Sequence, residues 1–181
     1  EHIIPYIEKK LFLKVNREKT EVAYAGKIKF LGYGFHKTSK GFQMRAHPKS
    51  VAKMKSRVRE LTQRSDGKGY DEKKLILKQY ITGWVQYFKL AQMRKLMIAV
   101  DQWMRKRIRM CIWKQWKKVK TRYTMLKKLG TSESNARILA FTRKGYWRIA
   151  GSPILQSAIS IERLKRAGYL SFLDYYESVR A

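Results

Sequence analysis

The sequence predicts a mainly α-helical protein: a small β-hairpin-containing piece, residues 1–47, followed by an all-helical bundle, residues 48–181. Three observations predict it. From Pro48 onward apolar residues recur at three- and four-residue spacing, the period of a helix with one buried face. Before Pro48, short apolar stretches are broken by glycine-containing turns, the mark of hairpins. Apolar residues make up 44% and aromatic residues 13% of the 181 positions, too many for simple disorder and enough to fill a core.

Taken in order, Ile3, Ile4, Ile7 and Leu11 sit at helical spacing with Glu8, Lys9 and Lys10 toward solvent, so residues 1–11 read as the end of a helix. Leu13–Val15 reads as a short strand and Asn16–Thr20 as a turn. Glu21–Tyr24 and Lys27–Phe35 read as strands about a tight Ala25-Gly26 turn. Gly32 and Gly34 interrupt the second strand, where glycine marks a bulge or a close backbone approach. Ser39-Lys40-Gly41 is a further turn, and Phe42–Arg45 a partner strand. Pro48 suits a first helical position; Val51, Met54, Val58 and Leu61 share one face of that helix, with Lys53, Lys55, Arg57 and Arg59 off it. Ser65–Gly69 is a loop. A second helix carries Leu77, Tyr80, Ile81, Trp84 and Phe88 and ends near Leu90–Met93. A third spans Arg94 to Lys118, with Leu96, Val100, Trp103, Met104, Ile108 and Cys111 on one face. Gly130 stops a short helix that includes Met125–Leu129, and Thr131 or Ser132 starts the next, through Ala136 to Ala140. Ser152-Pro153 is a start signal, with Ser at the cap and Pro just inside. The helix it opens carries Leu155, Ala158, Ile159 and Leu164 and stops at Gly168. Leu170–Tyr176 is a last short apolar element.

Charge narrows the function. The chain has 42 Lys plus Arg against 13 Asp plus Glu, a formal net charge of +29. Such a molecule repels itself unless a polyanion neutralises it. Between Arg105 and Arg122 lie nine cations and no acid: Arg105, Lys106, Arg107, Arg109, Lys114, Lys117, Lys118, Lys120 and Arg122. Trp103, Trp113, Trp116 and Tyr123 are set among or beside them. Flat rings among cations suit a polyanion with stacking faces, which describes nucleic acid; the alternative is a solvated helix face. Trp113 and Trp116, three apart, either stack on bases or seal the bundle. Tyr146-Trp147-Arg148, after Arg143-Lys144-Gly145, is open in the same way.

Enzyme chemistry has little to stand on in this segment. Asp66, Asp71, Asp101 and Asp174 form no pair at metal-binding spacing, and Asp101 reads as a partner in a helix salt bridge. There is no Walker loop, no Gly-x-Ser-x-Gly and no Ser/His/Asp signature. The single cysteine, Cys111, lies on an apolar helix face and reads as a core residue; Tyr80, Trp84, Phe88 and Trp103 read as packing residues. No Cys/His spacing suggests zinc, the three histidines are scattered, and no metal site is expected here. No signal peptide and no apolar run of bilayer length is present, so no membrane partner and a reducing, cytosolic setting are expected. The start at Glu1-His2-Ile3, without an initiator Met, reads as a fragment of a longer protein.

Several segments resemble one family in that family's order. Leu13-Lys14-Val15-Asn16-Arg17-Glu18-Lys19-Thr20 and Phe30-Leu31-Gly32-Tyr33-Gly34-Phe35 resemble the later palm motifs of group II intron reverse transcriptases. The run from Tyr80 to Phe88 (Tyr-Ile-Thr-Gly-Trp-Val-Gln-Tyr-Phe) resembles a helix of their maturase-specific region. So do the segments Arg107–Lys118, Arg143–Arg148 and Ala150-Gly151-Ser152-Pro153. The resemblance implies that residues 1–47 are the C-terminal edge of the palm and residues 48–181 the thumb, or domain X. Phe30, Leu31, Gly32, Tyr33 and Gly34 would be a primer grip whose glycines let the backbone approach the primer. Lys19 would lie near the triphosphate of an incoming nucleotide. Arg105, Arg107, Arg109, Lys114, Lys117, Lys118, Lys120, Arg122, Arg143, Lys144 and Arg148 would bind nucleic acid.

The family's Tyr-x-Asp-Asp turn, whose carboxylates hold two magnesium ions, does not occur in this sequence. The resemblance places it before Glu1, so no cofactor is expected in this segment and Mg2+ is expected in the preceding palm. The implied partners are group II intron RNA, an RNA template–DNA primer duplex and the rest of the reverse-transcriptase chain. The implied activity is gripping the duplex during RNA-templated DNA synthesis and promoting splicing, in a bacterial cytoplasm. A non-catalytic RNA-binding splicing factor is the alternative, or a related reverse transcriptase of phage defence, CRISPR acquisition or diversity generation. No zinc-binding or His-Asn-His endonuclease pattern follows the thumb, which resembles the endonuclease-lacking branch.

Overall fold

Nine helices after a three-stranded sheet set the architecture of the computed structural model, which describes residues 3–16, 18, 23–39 and 41–180. Helix α1 spans Ile3–Lys10, and a short 3-10 turn occupies Ala25–Lys27. The antiparallel sheet has the order β1 (Lys29–Phe30), β2 (Tyr33–Thr38), β3 (Gly41–Ala46). The helices follow: α2 (Pro48–Leu61), α3 (Tyr70–Phe88), α4 (Arg94–Gln115), α5 (Val119–Lys128), α6 (Glu133–Ala140), α7 (Tyr146–Ala150), α8 (Pro153–Ala158), α9 (Ile161–Arg166) and α10 (Phe172–Ser178). The mainly helical fold with a small preceding β-hairpin is thus observed.

The N-terminal piece departs most from expectation. Leu13–Val15 is irregular rather than a strand. Ala23 and Tyr24 are also irregular, while Glu21, Val22, Lys19 and the rest of the expected Asn16–Thr20 turn except Asn16 and Glu18 lie outside the described residues. The expected single strand Lys27–Phe35 is a hairpin. Phe30 pairs with Tyr33 across a two-residue turn in which Leu31 and Gly32 have φ of 48° and 81°. Positive φ at both central residues is what matches a two-residue turn to the twist of its strands. Gly32 therefore makes a turn, not a bulge. Gly32 O accepts from His47 N at 2.9 Å and from Ser50 Oγ at 2.9 Å, and Tyr87 of α3 donates its hydroxyl to Leu31 O at 2.8 Å. The hairpin is thereby seated on α2 and α3.

The core runs through the bundle on the predicted faces: Met54, Val58 and Leu61 of α2, Leu77, Ile81, Val85 and Phe88 of α3, and Val100, Met104 and Ile108 of α4 are buried. His47 caps α2, its Nδ1 accepting from Lys49 N at 3.2 Å, with Pro48 at the first position. Helix α4 stops at Gln115, three residues before the expected end. Gly130, at φ 79°, terminates the helix before it as expected, and that helix starts at Val119. Ser152 caps α8 as expected through Leu155 N. The helix expected to continue to Gly168 instead breaks at Ile159, and Ser160 caps a separate α9 through Arg163 N. A polar capping residue competes with helix continuation, and that outweighed the apolar spacing. Helix α7 at Tyr146–Ala150 was not anticipated.

Asp101 is a correction of another kind. It is buried at 1% exposure and, among the described residues, makes no salt bridge. Its carboxylate accepts from Ser171 Oγ at 2.6 Å, Phe172 N at 2.8 Å and Leu173 N at 3.0 Å. A carboxylate from the middle of α4 thus saturates the amides at the start of α10, where negative charge is favoured.

Candidate nucleic-acid interface

The basic run divides between residues that hold the fold and residues that face water. Arg109 is 6% exposed, and its Nε donates to Ile159 O at 2.8 Å. Arg107 is half-buried. It donates to Thr62 Oγ1, to Thr62 O at 3.2 Å and to Arg59 O at 3.1 Å, closing the last carbonyls of α2. Burial pushes both guanidinium pKa values down, yet from a value so high that both stay charged. Arg122 donates to Trp116 O at 2.9 Å and lies 5.0 Å from the Trp113 ring centroid, a cation at the C-terminal end of α4, where the helix dipole favours it. Arg109 is thus turned into the fold, and Arg107 and Arg122 are engaged with backbone carbonyls rather than extended toward solvent.

Trp113 and Trp116 are settled. Their exposures are 1% and 6%, and their rings meet edge-on at 5.8 Å. They seal the bundle. Cys111 is buried, with Sγ 3.3 Å from Thr62 O, and burial pushes its thiol pKa up, which suits a packed thiol and not a nucleophile. Trp103 is partly exposed between the guanidinium groups of Arg59 and Arg107, 5.6 and 5.5 Å from its ring.

The cations that remain exposed are Lys117, Lys118 and Lys120 around the α4–α5 connection, Arg143 and Lys144 in the loop before α7, and Arg148 on α7. Arg105 and Lys114 are half-buried. Packing of α7 on α4, through Met110, Cys111, Ala150 and Tyr146, joins the two halves of this surface. Lys106 lies 4.3 Å from the ring centroid of Trp147, itself 42% exposed. Lys114 and Arg64 approach the Tyr146 ring at 5.2 and 4.8 Å. Gly151 lies beside the Lys106 amine, 2.8 Å from Nζ to an added Cβ, a crowding that the flexible lysine could relieve by shifting. The α4–α7 packing thus sets Tyr146 and Trp147 among Arg64, Lys106 and Lys114. Sequence reading had not singled out Lys106, Arg64 and Trp147 as a group. The runs around them were visible, but only the α4–α7 packing brings them together.

At the other candidate site, Phe30 and Leu31 are 63% and 66% exposed at the hairpin turn. Tyr33 donates its hydroxyl to Tyr87 O. The close approach permitted by Gly32 is to the protein itself: a Cβ there would meet Ser50 Oγ at 3.1 Å and the Phe88 ring at 3.2 Å. Gly34 likewise lies under His47, whose Cδ2 would be 3.4 Å from an added Cβ. Among the described residues, no group of three or more His, Cys, Asp or Glu could hold a metal, and no helix is long and apolar enough to cross a membrane.

Residues 51–130, from the first turn of α2 to the glycine after α5, match the family model described as group II intron, maturase-specific domain. Residues 51–130 are maturase-like. No curated protein matches the chain. The matched span contains all of α3 and α4 and the basic run from Arg105 to Arg122. The sheet precedes that span, and α6 to α10 follow it, including the Arg143–Arg148 segment that completes the basic surface.

Proposed function

We propose that this chain is the nucleic-acid-binding C-terminal part of a group II intron reverse transcriptase and maturase. It binds intron RNA to promote splicing and grips template–primer duplex while DNA is made on RNA. The observation that carries this is the joining, by α4–α7 packing, of the uncommitted cations with Tyr146 and Trp147 on a domain of the maturase-specific family. Lys114, Lys117, Lys118, Lys120, Arg143, Lys144 and Arg148 would contact phosphates, and Trp147 would offer a ring to an unpaired base. An A-form helix offers shape, phosphates and 2′ hydroxyls rather than a readable major groove, which suits a surface of cations without a deep pocket. Phosphoryl transfer would belong to magnesium-binding carboxylates of a palm, with the exposed Phe30–Leu31 turn near the primer. The working compartment would be the bacterial cytoplasm.

The test is affinity of this chain for a folded group II intron RNA across a potassium chloride series. Each phosphate neutralised on duplex lowers the log–log slope by about 0.9, somewhat less on single strands. A slope steeper than about −4 is expected, and affinity indifferent to salt overturns the reading. Splicing without polymerisation is the second reading, favoured by the family match being to the maturase-specific segment. Primer extension by the full-length protein separates the two.

A further inference from the structure

Positive charge also gathers in a concave surface that the basic run does not reach. A groove of about 550 Å³ opens between the β2–β3 ribbon and the first turns of α2 and α4. His36 and Arg45 line it from the ribbon, Lys55 from α2 and Lys95 from α4, over a floor that includes Val51 and Leu96. No carboxylate lines it. Among the described residues Arg45, Lys55 and Lys95 form no ion pair, whereas the neighbouring Arg94 is taken up by Glu177 at 3.0 Å. Nδ1 of His36 is buried without a hydrogen-bond partner among the described residues.

The groove is held in shape by backbone. Gln92 N donates to Met44 O at 2.8 Å, tying the α3–α4 connection to β3, and β3 runs through His47 directly into α2. Three cations are therefore fixed around one concavity beside the N-terminal ends of helices of 14 and 22 residues, which add partial positive charge of their own. A cleft lined by cations alone focuses positive potential and raises the local concentration of anions.

We propose that this groove seats the backbone phosphates of a nucleic-acid strand, a contact separate from the α4–α7 surface. The proposal rests on the nucleic-acid-binding reading above and adds a second place where the strand is held. The apolar floor favours a strand over a free inorganic anion, since Val51 and Leu96 offer contact to sugar but nothing to a hydrated ion.

Charge removal tests it. Arg45→Gln/Lys55→Gln/Lys95→Gln is compared with Lys78→Gln/Lys128→Gln/Arg166→Gln, which removes the same charge elsewhere on exposed helix positions. Affinities for intron RNA and for an RNA–DNA hybrid are measured over a salt series, with thermal melting to verify folding. The groove triple is expected to lose at least about tenfold in affinity and to flatten the salt slope by about 2 to 3, the control triple much less. A charge-keeping variant, Arg45→Lys/Lys55→Arg/Lys95→Arg, retains the slope and guards against a folding artefact. Equal losses in the groove and control triples overturn the groove while leaving nucleic-acid binding intact. Failure of the unaltered chain to bind either nucleic acid overturns the functional reading and the groove with it. Inorganic phosphate at constant ionic strength gives the last arm. If it raises the melting temperature of the unaltered chain but not of the groove triple, while both bind nucleic acid alike, the groove is a free-anion site and the strand proposal is wrong.

Discussion

Arginine does two jobs in this molecule, and what each guanidinium touches separates them. Arg109 satisfies Ile159 O and Arg107 satisfies three acceptors at the end of α2, while Lys117, Lys118 and Lys120 are exposed. Removing a donor and leaving a buried carbonyl unpaired costs about 1–3 kcal/mol. Arg109→Met is therefore expected to lower Tm by roughly 3–10 °C for a chain of this size and to leave RNA affinity of the folded protein within about twofold. Lys117→Gln/Lys118→Gln/Lys120→Gln is expected to do the opposite, a melting temperature nearly unchanged and weaker RNA binding. A reversal of these two outcomes in parallel melting and anisotropy measurements would show the assignment to be wrong. The sequence could not make this division. Arg107 and Arg109 read like their lysine neighbours because the carbonyls that claim them come from α2 and from Ile159, far along the chain. Trp113 and Trp116 were undecided for the same reason.

At the scale of elements, caps and turns decide where the chain changes direction. The periodic faces of α2, α3 and α4 were legible because each spans three turns or more of regular apolar spacing. The short pieces were not: the Leu31-Gly32 turn depends on two positive φ values, and the break between α8 and α9 on the Ser160 hydroxyl. The junction at His47 carries a pH dependence. Its neutral Nδ1 accepts from Lys49 N, and partial burial, then Lys29, Lys49 and Arg45, hold its pKa below the ordinary value of 6.5. Between the folded and unfolded pKa values the unfolded chain binds more protons, so stability rises with pH in that window. Acidification through about pH 6.5 should therefore lower Tm until the folded pKa is passed, where the loss levels off. In His47→Asn, which keeps a capping oxygen, this part of the slope should be missing; an identical pH profile for both proteins would remove His47 from the account.

Across the whole molecule, a formal charge of +29 is spread over 181 residues, and the ion pairs formed are mostly at the surface, as between Arg57 and Glu60 or Arg137 and Glu133. Such pairs contribute little. Net repulsion should then fall as salt or a polyanion is added. Tm is expected to rise between low and moderate potassium chloride, and the proposed function expects a further rise with RNA, as a ligand of the folded state gives. A Tm that falls on adding RNA would mean that RNA prefers the unfolded chain. The basic character was fully legible from composition. The two surfaces on which it is concentrated were not, because one needs α7 laid on α4 and the other needs β3, α2 and α4 to converge.

Residues 171–180 lock the middle of the chain. Tyr176 donates to Ala91 O at 2.7 Å and accepts from Met93 N at 3.2 Å, Arg180 reaches the same Ala91 O at 2.9 Å, and Asp101 waits for the amides of Phe172 and Leu173. During synthesis on a ribosome, where domains fold as units from the N-terminal end, the corner between α3 and α4 stays unlatched until residues 171–180 have emerged. Until then Asp101 is a carboxylate without its amides and the groove wall at Lys95 has no brace behind it. A nascent chain therefore holds its cations before it holds the frame that arranges them, and the frame closes only when residues 171–180 reach Ala91, Met93 and Asp101.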